Sequence, residues 1–102
     1  MLLSVRKRVQ KGGLMTYLEK IKTIKKVLIR NGMPSDIAWG VAVEIYDVAK
    51  PSKSGHRITT VMEGLADETA KKDSWQFHLY TAWKNISHSS IDLKVLGEVH
   101  AY

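Results

Sequence analysis

The sequence predicts an all-α fold, a compact bundle of four to five short helices. Three observations lead there. Apolar residues recur at three- and four-residue spacing in successive stretches, capping residues and Gly or Pro breaks separate those stretches, and no two alternating segments offer paired strands. With 102 residues, 44% hydrophobic and 25% charged, the chain has enough apolar side chain for a single modest core and too much for disorder. Residues 15–102 read as one helical domain, preceded by a basic segment at 1–14. No internal repeat or long linker divides the chain.

The first helix is predicted over residues 16–31. Tyr17, Ile21, Ile24 and Leu28 share one arc, and Glu19, Lys22, Lys26 and Arg30 oppose them. Thr16 and Glu19 have capping-box spacing, and Asn31-Gly32 followed by Met33-Pro34 ends the helix. Ser35 is the expected cap of a second helix running to Ala49, with Asp36 placed well against its dipole. That helix is apolar over a wide arc (Ala38, Trp39, Val41, Ala42, Ile45, Tyr46 and Val48) and is therefore expected at the centre of the fold.

After the loop Pro51–Gly55, a third helix is predicted over residues 57–71, with Ile58, Val61, Met62, Leu65 and Thr69 inward. Asp73 and Gln76 have the spacing of a second capping box, for a helix over 74–86 with the stripe Trp75, Leu79, Ala82, Trp83 and Ile86. The C-terminal segment is ambiguous between helix and strand. Ile91, Leu93 and Val95 alternate, while Ile91, Val95 and Val99 keep helical spacing, and the lack of an earlier strand to pair with favours helix.

The formal net charge is +6 and the pI about 9.7, but the charge is not spread evenly. Residues 1–14 carry Arg6, Lys7, Arg8 and Lys11 without an acid, and residues 16–30 add another net +4. Everything from Asn31 onward sums to −2. An anionic partner would therefore meet the first 30 residues. Two readings of residues 1–14 stand side by side, a basic arm or a translated leader. Lys11-Gly12-Gly13 can be encoded by a bacterial ribosome-binding sequence just ahead of an internal start at Met15. Intact-mass measurement of the natively expressed protein separates them.

Motifs that carry chemistry are not found. His56, His78, His88 and His100 form no metal-ligand spacing, and His88 between two serines lacks a nucleophile turn or an oriented acid. The Walker pattern and the dinucleotide glycine pattern are both missing, so no cofactor is expected. Cysteine is absent, which excludes disulfides and thiolate ligands. No stretch has the length of a membrane span or the character of a signal peptide, and a cytoplasmic protein is expected.

The expected function is that of a small non-enzymatic regulator or adaptor, of bacterial or phage type, acting through protein contacts. Aromatic side chains are plentiful, with three Trp and four Tyr, and Trp39, Tyr46 and Phe77 are the candidate interface residues. Phe77 projects about 160° from the centre of the fourth helix's stripe and is expected to be wet, where it would suit a homodimer or another partner. A small DNA-binding regulator is the alternative, with Lys20, Lys22, Lys25, Lys26 and Arg30 against phosphates. The second helix is apolar with an acidic polar strip, which is wrong for reading base edges. A component of a toxin–antitoxin pair fits the size equally well.

Overall fold

A computed structural model describes residues 16–49 and 58–100. It contains five helices: α1 (Tyr17–Arg30), α2 (Ser35–Ala49), α3 (Ile58–Leu65), α4 (Trp75–Ser87) and α5 (Ser90–His100). The C-terminal segment is thus helical, and no strand occurs among the described residues. No helix among them is long and apolar enough to cross a membrane. The basic segment 1–14, Lys50 and the Pro51–Gly55 loop lie outside the described residues.

Helix α1 starts as its sequence dictates. Thr16 Oγ1 accepts from the Glu19 N–H at 3.2 Å, and the Glu19 carboxylate accepts from the Thr16 N–H at 2.8 Å. Its end is built by Gly32, whose φ of +110° suits a residue without Cβ. With Gly32 turned that way, its N–H donates to the Ile29 carbonyl at 3.1 Å. Met33 N–H then reaches the Leu28 carbonyl at 3.0 Å, and both Met33 and Leu28 are buried.

Three boundaries differ from the sequence expectation. Ser35 is the first residue of α2 rather than its cap, because the opening bond runs from Ile37 N–H to the Pro34 carbonyl. Helix α3 ends at Leu65, well short of residue 71. There Asp67 Oδ1 accepts from the Thr69 N–H at 2.9 Å and the Thr69 hydroxyl at 2.7 Å. This local bonding competes with the helix ladder and leaves Thr69 exposed. The cap of α4 is Ser74, not Asp73; its hydroxyl accepts from the Phe77 N–H at 3.3 Å, so the Asp73–Gln76 box does not form.

The core is one cluster. Ile21, Ile24, Val27 and Leu28 of α1 meet Ala38, Ala42 and Ile45 of α2, Ile58 and Met62 of α3, Leu79, Ala82 and Ile86 of α4, and Leu96 and Val99 of α5. Contacts run α1 to α2, α2 to α3, α3 to α5 and α5 back to α1, and α4 touches all four. Helix α2 packs against α1, α3 and α4 and buries Ala38, Val41, Ala42, Ile45, Tyr46 and Ala49, as the width of its apolar arc predicts, while α4 is the helix that touches all four others. Helix α2 leaves Trp39 and Val48 exposed on its two edges, whereas Trp75 and Trp83 pack against the core on either side of the α4 stripe.

Candidate interaction surface

The outer face of α1 sets the site. Leu18, Lys22, Lys25 and Ile29 follow i, i+4, i+7, i+11 spacing, which places them in one row on the flank of α1, about 100° around the helix from the buried Ile21, Ile24 and Leu28. Leu18 is 54% exposed and Ile29 37%. Lys26 adjoins the row, and neither it nor Lys22 has an ion-pair partner among the described residues. Helix α2 extends this face. Trp39 is 39% exposed, and Lys25 Nζ lies 5.8 Å from the centre of its ring, within range of a cation–π contact.

The remaining basic candidates have other surroundings. Lys20 is buried; its ammonium donates to the Tyr46 hydroxyl at 3.3 Å and lies over the same ring. Arg30 forms an ion pair with Asp92 of α5. The five cations of the sequence row are thus dispersed, with Lys22 and Lys26 the two fully on the surface, Lys25 half-buried against Trp39, Lys20 in the α1/α2 seam and Arg30 turned to α5.

The aromatic candidates also separate. Tyr46 is buried in the α1/α2 seam, where the Tyr17 ring meets it edge-on at 5.5 Å. The Tyr17 hydroxyl donates to Asp47 at 3.2 Å; partial burial and the Asp47 charge push its pKa up. Trp39 and Tyr46 share an edge of α2, as expected, but only Trp39 reaches the surface. Phe77 is half-buried rather than wet. Its ring lies 6.1 Å from that of Tyr80, whose hydroxyl meets Glu68 in the α3–α4 connection. Thr81 and Lys84 on the same face of α4 are exposed, so the cover over Phe77 is local to the start of the helix, where the Tyr80 ring lies beside it.

Sequence reasoning passes over Leu18 and Ile29. Both share the flank of α1 that carries Lys25, where an apolar residue reads as the edge of the core stripe until the neighbouring helix is placed. The Lys25–Trp39 pairing has no local signal because it crosses between helices.

A second surface feature lies around α2. Asp36, Ile37, Gly40, Val41 and Glu44 form a hollow of about 330 Å³ with Trp75 of α4. Two other hollows, one at Ile58, Thr59, Leu93, Leu96 and Gly97 and one at Val48, Thr60, Val61, Gly64 and Leu65, have no charged lining residue among those described. No group of three or more His, Asp or Glu side chains comes together as a metal site among the described residues. No family model, no curated protein and no solved structure matches the chain.

Proposed function

We propose that this chain is a small adaptor or regulator that works by protein contact through the α1/α2 face. The observation that carries this reading is the interleaving of Leu18, Ile29 and Trp39 with Lys22, Lys25 and Lys26 on one exposed surface. Apolar side chains with an aromatic anchor supply area for desolvation, and the lysines around them select a partner with carboxylates at matching positions. A phosphate-tracking surface has the opposite character, cations in a continuous row and little exposed apolar area. Here Lys20 is buried and Arg30 is paired, which breaks the row.

Affinity capture from the native host, with and without nuclease, tests the proposal when run on two variants. Leu18→Ser with Ile29→Ser is expected to abolish capture of a nuclease-resistant protein while the chain stays folded with a somewhat lower thermal midpoint, because both side chains are partly exposed and serine is the poorer helix former. Lys22→Gln with Lys26→Gln is expected to weaken it only in part. For phosphate binding through all five cations, log affinity would fall with log salt at a slope of roughly −4.5; two exposed lysines give about −1.8. Nuclease-sensitive capture with the steep slope, untouched by the serine variant, overturns the reading in favour of a nucleic-acid binder.

A further inference from the structure

We propose that the hollow between α2 and Trp75 binds a basic segment of a partner protein, seating an apolar side chain over Gly40 between two cationic ones. Glycine weakens a helix interior, so its presence in mid-helix calls for a reason. The chain's own packing gives none at Gly40, where an added Cβ would meet no neighbouring atom within 4 Å. Gly64 and Gly97 have the same freedom, but their hollows are uncharged among the described residues. At Gly40 the missing side chain deepens a hollow whose floor and walls are Ile37, Val41 and Trp75, and whose rim carries Asp36 and Glu44.

Spacing defines the occupant. Asp36, Gly40 and Glu44 stand at i, i+4 and i+8, so they form one row with a carboxylate at each end. Eight residues of helix put those carboxylates about 12 Å apart along the axis. An extended peptide covers that length in roughly three or four residues. The matching segment is therefore Lys or Arg, an apolar residue, and a second Lys or Arg three or four positions after the first. The Trp75 indole adds an aromatic surface on which an alkyl stem or a cationic head can lie. This site shares no residue with the α1/α2 face, which begins at the neighbouring Trp39, and it is opposite in charge, so the two would hold different segments. The present proposal stands or falls on different residues.

Selection of random linear peptides on the full chain tests it. The expected result is enrichment of peptides with that cationic–apolar–cationic spacing. Their affinity should fall roughly tenfold in Asp36→Asn with Glu44→Gln, and stay unchanged in Lys22→Gln with Lys26→Gln. Gly40→Ala provides the sharper readout because its two effects run in opposite directions. Peptide affinity should drop, while the thermal midpoint should rise by roughly 4 °C as the helix gains a better former. No enrichment, enrichment of acidic peptides, or binding indifferent to Gly40→Ala and to the amide pair overturns the proposal.

Discussion

Asp92 has only 5% of its surface exposed, and it carries a charge near the start of the last helix of the chain. Burial alone would raise its pKa. Hydrogen bonds from the Asn31 amide at 2.9 Å and from Arg30, and the Arg30 charge, outweigh that and hold the carboxyl below the ordinary Asp range. A depressed pKa means that the native state prefers the ionised form. The resulting stability is present above the unfolded-state value, about 3.9, and is lost as pH falls through the folded value. Asp92→Asn should lower stability by about 1 kcal/mol at neutral pH, because the amide keeps one acceptor oxygen for Asn31 or Arg30 but loses the other and the charge. Thermal melts from pH 7 down to pH 2 check this. The gap between variant and wild type should close in acid, and a gap constant across the range would show that the charge plays no part.

Element boundaries follow local bonding that ranges from plain to hidden in the sequence. Thr16 and Glu19 announce the start of α1, and both bonds of the box form. Thr16→Ala should therefore cost about 1 kcal/mol, seen as a drop of roughly 5 °C in the thermal midpoint; an unchanged midpoint would mean that the helix start is held by packing alone. Gly32 likewise marks the end of α1 because the turn needs positive φ. The early end of α3 is less legible. Apolar periodicity continues to Thr69, yet Asp67 binds both Thr69 donors, and the same bonds depress the Asp67 pKa. Periodicity records which side chains suit a core and does not record a side chain that captures the backbone first. The shift from Asp73 to Ser74 at the start of α4 has a similar origin, since both residues can cap and the downstream fold selects one.

At the scale of the whole molecule, the all-α class and the buried stripes were readable because 3.6-residue periodicity is written in each segment separately. The arrangement was not. Which helix meets every other depends on how five stripes share one core, and α4 takes that place with Trp75 and Trp83 beside its narrow stripe. The junction that joins three helix ends is equally invisible locally. Asn85 of α4 donates to the Asn31 carbonyl at 3.0 Å, and Asn31 in turn binds Asp92 of α5, across sequence separations of 54 and 61 residues. The same distinction governs the candidate surface. Lys20 reads as a surface cation and Tyr46 as part of the apolar arc of α2, yet they face each other across the α1/α2 seam, while Trp39 remains outside with Lys25 over its ring.

The proposed protein contact is made by the exposed face of α1 with Trp39 of α2. Photo-crosslinking in the native host tests it most directly, with a photoreactive amino acid placed in turn at Ile29 and at Glu63, an exposed residue of α3 away from that face. A discrete protein adduct is expected from position 29 that survives nuclease and does not form from position 63. Equal adducts from both positions, or an adduct at 29 that nuclease removes, would contradict it.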